Sequence, residues 1–230
     1  ACFGLSLGEF TALQAAGALE LGDALVLVRE RGLGMQEASE AHPSGLTALR
    51  CAVEDAEDVC AKARENTGGV CAVANLNAPG QVVISGDNDS LDVAESFAKE
   101  QGIRRPTRLP VAGAFHSSLM EIGARRLAAT LENIEVKTPR VPVFSNVTGQ
   151  ATTDPDTIRA NLVAQVTSPV LFMDCVLGAI AMGVTRVVES APGKVLTGLA
   201  RRIDNDKQLE TLVNADTAEA IEGLVQGEPA

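Results

Sequence analysis

The sequence GLSLGEF, residues 4–10, decides how the rest of this chain is interpreted. It places Ser6 between two glycines, each two residues away, and an acidic residue follows the second glycine directly. A Gly-x-Ser-x-Gly pattern is typical of a serine on a sharp turn between a strand and a helix, where the glycines relieve backbone crowding. The same residues also suit a loop that merely starts a helix. Ser6 is therefore either a nucleophile or a small loop residue.

Composition limits the class of protein to which the chain belongs. With 46% apolar and 21% charged residues over 230 positions, it suits one globular domain, or a larger domain that carries a smaller one. A net charge of −11 disfavours nucleic acid as a partner. Five cysteines without a CxxC pair favour reduced thiols and a cytoplasmic protein, and no apolar run approaches the roughly 18 residues of a membrane span.

The predicted elements alternate between helices and strands. GEFTALQAAGALEL predicts a helix that ends near Gly22, and Asp23 is the predicted N-cap of a second helix. Residues 47–111 read β-α-β-β-α-β, which is the order of a split-βαβ module. Strands and helices alternate again after it, with a helix from Ser117, a helix from Asp154 and the strands VPVFS and TRVVES. This alternation predicts a parallel sheet covered by helices on both faces.

A nucleophilic serine needs a base, and the chain has two histidines. His116 precedes the Ser117 cap at the junction between the small module and the main sheet, so it is either that base or a residue that packs at a helix start. His42, beside a proline, is interpreted as a solvated linker residue. The backbone N–H of Leu7 is placed to point at a developing oxyanion.

Arg31 lies on a largely apolar stripe of the second helix. Counting in fours puts Leu27, Arg31 and Met35 on one face. An arginine there snorkels outward, pairs with an acid, or faces a pocket that receives an anion. A guanidinium binds a carboxylate through two parallel hydrogen bonds, so a substrate that carries an acid is one of the open interpretations.

Basic residues are concentrated in two segments of an otherwise acidic chain. They are either a solvated face or a docking surface for an acidic partner. The members are Arg104, Arg105 and Arg108 in one segment, and Lys194, Arg201 and Arg202 in the other. No metal-ligand spacing, P-loop or dinucleotide fingerprint is present in the sequence, so no cofactor is expected.

Seven ordered motifs together resemble a known family. They are GLSLGEFTAL, RERGLGMQ, NLNAPGQVVISG, AFHSSLM, VPVFSNVTG, QVTSPVLF and APGKVLTGL, and they extend from the first residue to about 203. In this order they resemble the malonyl-CoA:acyl carrier protein transacylases, including acyltransferase domains of polyketide and fatty acid synthases. The resemblance implies a hydrolase-like parallel α/β domain, formed by residues 1–46 and 112–230. It also implies an inserted ferredoxin-like (βαββαβ) subdomain over 47–111.

The resemblance also implies a role for each candidate residue. Ser6 would carry the malonyl group as an ester and His116 would act as base and then acid. Gln165, or a backbone carbonyl near it, would orient the imidazole, and Arg31 would hold the malonyl carboxylate. Leu7, Phe115 and Met35 would complete the substrate site, with Phe115 narrowing the space beside the α-carbon. Arg104, Arg105, Lys194 and Arg201 would dock the carrier protein.

The implied reaction is a ping-pong transfer of malonyl from malonyl-CoA to the phosphopantetheine thiol of an acyl carrier protein, in fatty acid biosynthesis. Malonyl-CoA is a substrate, no cofactor is expected, and we expect a monomer. Family members carry a segment before the position of residue 1 that supplies a second oxyanion donor, so we expect a chain truncated at its N-terminus. Two alternatives stay open, a serine esterase and a non-catalytic carrier-protein docking domain.

Overall fold

The computed structural model describes residues 1–190 and 192–226. A short 3₁₀ helix spans Ser118–Met120. The helices and strands in chain order are α1 (Leu7–Ala15), α2 (Leu21–Ala41), β1 (Ser44–Leu49), α3 (Val53–Thr67), β2 (Cys71–Ala78), β3 (Gln81–Asp87), α4 (Asn88–Glu100), β4 (Thr107–Arg108), α5 (Glu121–Leu131), β5 (Val143–Phe144), β6 (Ala151–Thr152), α6 (Pro155–Gln165), α7 (Phe172–Ala181), β7 (Arg186–Glu189), α8 (Val195–Ile203), β8 (Thr211–Asn214) and α9 (Ala218–Gln226).

The first two helices differ from the prediction at one end each. The predicted end of α1 near Gly22 is wrong, because Gly17 adopts φ +81 and the helix stops at Ala15. The predicted cap of α2 is also wrong, since the helix begins at Leu21 with Glu20 as its N-cap residue. Asp23 lies instead in the first turn, where its negative charge suits the positive end of the helix dipole.

Helices α2 and α5 pack closely enough that two glycines meet between them. A Cβ atom on Gly34 would lie 2.7 Å from the Cα atom of Gly123, so a side chain there would push the helices apart. The main core surrounds this contact with buried side chains that include Leu27 and Leu127. This packing fixes the inner face of α2, on which Arg31 lies buried.

Residues 44–108, named here the antiparallel module, form a four-stranded sheet in the order β2-β3-β1-β4 with every neighbouring pair antiparallel. Its chain order is β-α-β-β-α-β, with α3 and α4 as the helices. The core of the module is apolar and includes Leu49, Val59, Ile84 and Leu91. That residues 47–111 form a separate inserted subdomain remains a prediction.

Two isolated parallel bridges join distant segments of the chain. Cys2 forms a parallel bridge with Val143, and Asn75 forms one with Val170. β5 pairs with β6 antiparallel. The α/β class predicted from the sequence is confirmed. No helix in the described part of the chain is long and apolar enough to cross a membrane.

The chain divides into two compact units, Ala1–Cys175 and Val176–Ala230. The domain boundaries predicted from the sequence lie at residues 46 and 112, and they remain predictions. In the second unit β7 and β8 pair in parallel, and β7 lies in the strand predicted at TRVVES. The carboxylate of Glu189 accepts hydrogen bonds from the backbone N–H groups of Leu196 and Thr197, and so caps the start of α8.

Candidate active site

Ser6 lies on a sharp turn between an extended segment and a helix. The backbone of Cys2 donates to the Pro142 carbonyl and accepts from Phe144 N–H, at 2.9 and 3.0 Å, which fixes the chain before the turn. Helix α1 begins directly after the turn, at Leu7. Ser6 itself has φ 52° and ψ −100°, a backbone conformation that non-glycine residues rarely adopt. The turn is therefore strained, as a serine nucleophile on a strand-to-helix turn would be.

The two glycines of the pattern are not equivalent. A Cβ atom on Gly4 would lie 2.2 Å from the backbone of Gly8, which leaves no room for a side chain. A Cβ atom on Gly8 would meet nothing within 4 Å. The close approach of the backbone segments on either side of Ser6 therefore requires glycine at position 4 but not at position 8.

His116 is positioned to take the proton of Ser6. Its Nε2 atom lies 2.8 Å from Ser6 Oγ, and its Nδ1 atom lies 2.8 Å from the backbone carbonyl oxygen of Gln165. Since a carbonyl oxygen only accepts, Nδ1 carries the proton, and the lone pair of Nε2 faces the serine hydroxyl. The imidazole is thus held in the tautomer that a general base needs.

Burial keeps this imidazole neutral. His116 is 4% exposed, and burial lowers its pKa to about 4, helped by the positive charge of Arg31 and opposed by the hydrogen bond to the Gln165 carbonyl. At neutral pH the ring is therefore uncharged and able to accept a proton.

Arg31 reaches the same hydroxyl from the inner face of α2. Its Nη2 atom lies 2.7 Å from Ser6 Oγ and 3.3 Å from Gln165 Oε1, and its guanidinium carbon lies 5.7 Å from the centre of the Phe10 ring. Burial lowers the pKa of Arg31 to about 10, opposed by the charge of Glu9, so the group stays cationic at neutral pH. The Nε atom is buried and has no hydrogen-bond partner among the residues that the structure describes.

Two side chains hold the backbone of Ser6 itself. Ser6 N–H donates to Asn146 Oδ1 at 2.6 Å, and Gln165 Nε2 donates to the Ser6 carbonyl at 3.1 Å. Gln165 therefore acts twice, because its own backbone carbonyl binds His116. The resemblance implies that Gln165, or a backbone carbonyl near it, orients the imidazole, and in the structure the backbone carbonyl of Gln165 makes that contact.

Glu9 and Asn146 belong to the site but were not predicted. Glu9 Oε2 accepts from Asn146 N–H at 2.9 Å and from Gln165 Nε2 at 2.8 Å. Burial raises the pKa of the Glu9 carboxyl, opposed by these hydrogen bonds and by the charge of Arg31. The signals were present: an acidic residue directly after Gly8, and an asparagine inside the VPVFSNVTG motif.

The backbone N–H of Leu7 is available to an oxyanion. It lies in the first turn of α1 and makes no hydrogen bond within the described residues, while the Leu7 side chain is 52% exposed. Phe115 is half-buried and packs against the main core, in which Met35 is buried. The substrate contacts predicted for these three residues stay predictions.

The predicted docking residues are exposed. Arg104 and Arg105 lie before β4, Lys194 is the N-cap residue of α8, and Arg201 lies in its last turn. Arg108 differs from them because it pairs with Asp92 and Glu95, at 2.6 and 2.8 Å.

His42 is exposed at the C-terminal end of α2. Within the described residues no group of three or more His, Cys, Asp or Glu side chains is arranged to hold a metal ion.

The fold and the site place the chain among the acyltransferases. Residues 1–217 match the family of acyl transferase domains. A serine on a strained turn, with a neutral histidine on one side of its hydroxyl and a guanidinium on the other, suits that class of enzyme.

Several relatives share one name. The chain is 41% identical to the malonyl CoA-acyl carrier protein transacylase of Bacillus subtilis over 97% of its length and 69% of that protein's. It is 39% identical to that of Haemophilus influenzae over 95% of its length and 70% of that protein's. The solved transacylase of Xanthomonas oryzae superimposes with a TM-score of 0.91 at 37% identity, covering 99% of this chain and 71% of that one. The chain belongs to the malonyl CoA-acyl carrier protein transacylase family.

One further structural relative carries a partner. It is a malonyl-transacylase in complex with its type II polyketide synthase acyl carrier protein, with a TM-score of 0.89 at 32% identity. The superposition covers 98% of this chain and 72% of the related transacylase chain.

Proposed function

We propose that this chain transfers a malonyl group from malonyl-CoA to the phosphopantetheine thiol of an acyl carrier protein, in fatty acid biosynthesis, with Ser6 as the nucleophile. The observation that carries the proposal is the placement of Ser6 Oγ between His116 Nε2 and Arg31 Nη2. The first contact activates the hydroxyl, and the second puts a carboxylate receptor beside it. The names of the relatives supply the substrate class.

In the first half-reaction Ser6 Oγ attacks the thioester carbonyl while His116 Nε2 takes the hydroxyl proton. The negative charge that develops on the carbonyl oxygen is stabilised by the N–H of Leu7. The carbon–sulfur bond then breaks, and the proton on His116 passes to the departing thiolate of coenzyme A. The products are a malonyl ester on Ser6 and free coenzyme A.

Arg31 selects the malonyl group by its carboxylate. The guanidinium donates to Ser6 Oγ, and its Nε–H has no partner in the described part of the chain. A carboxylate would supply the missing acceptor, and the planar guanidinium binds it with two parallel hydrogen bonds. An acetyl group offers no such acceptor, so it would leave the buried Nε–H of Arg31 without a hydrogen-bond partner.

In the second half-reaction the carrier-protein thiol replaces coenzyme A. His116 takes the thiol proton, the sulfur attacks the malonyl ester, and the proton then returns to Ser6 Oγ as the ester bond breaks. Water competes for the same ester, so a serine esterase is the alternative that a transfer assay excludes. The complex of the related malonyl-transacylase with its carrier protein supports this choice of partner.

Arg104, Arg105, Lys194 and Arg201 are proposed as the docking residues for the carrier protein. They are exposed cations on an acidic chain, and none of them forms an ion pair within residues 1–190 and 192–226. Replacing Arg104 and Arg105 with glutamate should raise the KM for the carrier protein by about tenfold and leave acylation by malonyl-CoA unchanged. Arg50→Glu, a charge reversal at another exposed arginine, is the control.

We also propose that the protein acts as a monomer in the cytoplasm, without nucleic acid or membrane partners. Five free thiols suit a reducing compartment. We expect no cofactor, and malonyl-CoA is a substrate.

The acyl-enzyme is tested by intact mass after the chain is mixed with malonyl-CoA. Wild type should gain one malonyl group, Ser6→Ala should gain none, and Arg31→Ala should gain it more slowly. Acetyl-CoA serves as the substrate control, since it lacks the carboxylate. A folded wild type that stays unmodified, or Ser6→Ala that is modified equally, would contradict the proposal.

A further inference from the structure

We infer that Glu9 is a positioning residue for malonyl transfer, which holds the strained Ser6 turn in its reactive conformation through Asn146 and Gln165. The inference rests on the proposed function, because positioning has meaning only if Ser6 is the nucleophile. It concerns a residue that touches neither the Ser6 hydroxyl nor His116 in the structure.

The Ser6 turn needs external support because its backbone angles are unfavourable. A non-glycine residue at φ 52° and ψ −100° stays there only when its surroundings fix it. Both backbone polar groups of Ser6 bind distant side chains, the N–H to Asn146 and the carbonyl to Gln165. These two contacts fix the peptide groups on either side of the nucleophile.

Glu9 connects both of those supports. Its Oε2 atom accepts from the N–H of Asn146 and from the side-chain amide of Gln165, while its own N–H donates to the Ser6 carbonyl at 3.2 Å. Asn146 extends the network to the Gly4 carbonyl at 2.8 Å. One carboxylate oxygen thus joins the segments after β5 and at the end of α6 to the helix that follows Ser6.

A carboxylate is suited to this position for two reasons. Two N–H donors converge on a single oxygen, and a carboxylate accepts several hydrogen bonds. Its negative charge also stabilises the buried Arg31 cation, because a buried charge without a nearby opposite charge is unfavourable. The hydrogen bonds therefore hold the Ser6 turn, while the charge contributes to the stability of the folded site.

The kinetic consequence differs from that of a purely structural residue. Loss of Glu9 should let the Ser6 turn relax, which moves Oγ away from His116 without removing any group that binds substrate. A misplacement of about 1 Å at a reacting atom costs on the order of a hundredfold in rate. The rate constant of acylation should fall while the KM for malonyl-CoA changes little.

The experiment measures single-turnover acylation of the full chain by malonyl-CoA, with quenched samples read by intact mass. Glu9→Ala should acylate on the order of a hundredfold more slowly than wild type. Its half-saturating malonyl-CoA concentration should stay within about threefold. Glu9→Gln keeps an acceptor oxygen at the same reach and should recover most of the Glu9→Ala loss, whereas Glu9→Met fills similar space without an amide or carboxylate acceptor and should not recover it.

The matched control is Asp87→Ala, in the antiparallel module. The Asp87 carboxylate also joins two segments, accepting from the backbone N–H groups of Val70 and Ser90. Asp87→Ala should lower the melting temperature and leave acylation unchanged. It separates a loss of stability from a loss of positioning.

Three results would overturn the inference. The first is acylation of Glu9→Ala at the wild-type rate, and the second is a rate loss that Asp87→Ala reproduces. If Glu9→Ala does not fold, Glu9→Asp replaces it. Its oxygen is one methylene short, and acylation faster than that of Glu9→Gln would be the third contradicting result. A wild type that forms no acyl-enzyme would instead refute the proposed function and, with it, this inference.

Discussion

The antiparallel module and the Ser6 site are stabilised in different ways. In the module, β1 and β3 pair residue by residue, from Ser44 with Asp87 to Leu49 with Val82, above an apolar core. In the site, individual hydrogen bonds join residues 110, 140 and 159 positions apart. Many equivalent contacts stabilise the module. The site instead depends on a few specific side chains that cannot replace one another.

The ionisable groups show the same difference. In the module, burial acts to raise the pKa of Asp87, but hydrogen bonds from Ser90 and Val70 together hold it below its usual value. In the site, burial raises the pKa of Glu9 and lowers the pKa values of Arg31 and His116. Burying these three ionisable groups costs free energy, and the fold does not require them. Groups with perturbed pKa values are expected where chemistry is performed.

The largest difference is expected between two serines. Ser6→Ala should lower the rate of malonyl transfer on the order of ten-thousandfold, because no other group supplies the ester oxygen. Ser85→Ala in β3 should leave both rate and stability nearly unchanged, since the buried Ser85 hydroxyl has no hydrogen-bond partner among the described residues. Initial rates and thermal unfolding of both variants check this, and equal losses in the two would refute the comparison.

Next in size is the difference between the two glycines that flank Ser6. Gly4→Ala places a methyl group against the Gly8 backbone and should displace the turn, with a rate loss on the order of a hundredfold. Gly8→Ala meets open space in a helix, so it should keep its activity and gain up to about 1 kcal/mol of stability. Transfer rates and melting temperatures of the pair decide this. A fully active Gly4→Ala would show that the turn tolerates relaxation.

A smaller difference is expected between two arginines. Arg31→Ala removes the buried donor that we propose for the malonyl carboxylate and should lower kcat/KM for malonyl-CoA about tenfold to a hundredfold. Arg108→Ala breaks ion pairs at the partly exposed edge of the module and should cost less than about 1 kcal/mol of stability, with no change in rate. Steady-state kinetics of the first half-reaction separate the two.

The smallest expected effect is the change that Arg31→Ala makes to the pH profile of kcat/KM. Burial and the charge of Arg31 lower the pKa of His116 to about 4, so wild-type kcat/KM should decline only as the pH falls toward that value. Removing the Arg31 charge should raise the pKa of His116, and the decline should begin at a higher pH. A profile recorded from pH 4 to 8 that is unchanged in Arg31→Ala would contradict this electrostatic account.

The module was accessible from sequence because local patterns specify it. The β-α-β-β-α-β order predicted over 47–111 is the order observed over 44–108, since alternating apolar residues and a capping Asp87 act over short distances. The helix predicted from Asp154 also begins as expected, with Asp154 accepting from Thr157 N–H.

The site was accessible only in part. The motifs named Ser6, His116, Arg31 and Gln165, and the structure brings these four together. Glu9 and Asn146 were not predicted, because their places beside and within the motifs do not show that the two residues, 137 positions apart, contact each other. The double use of Gln165, by side chain and by backbone, depends equally on where α6 ends.

Transfer from preformed malonyl-enzyme tests the central claim most directly. The chain is loaded with malonyl-CoA, freed of excess substrate, and mixed with acyl carrier protein that carries or lacks the phosphopantetheine group, and both proteins are followed by intact mass. The malonyl mass should leave Ser6 and appear on the phosphopantetheine form, faster than it is lost to water in the other sample. Loss to water at the same rate in both samples, with no malonyl on the carrier protein, would contradict the account.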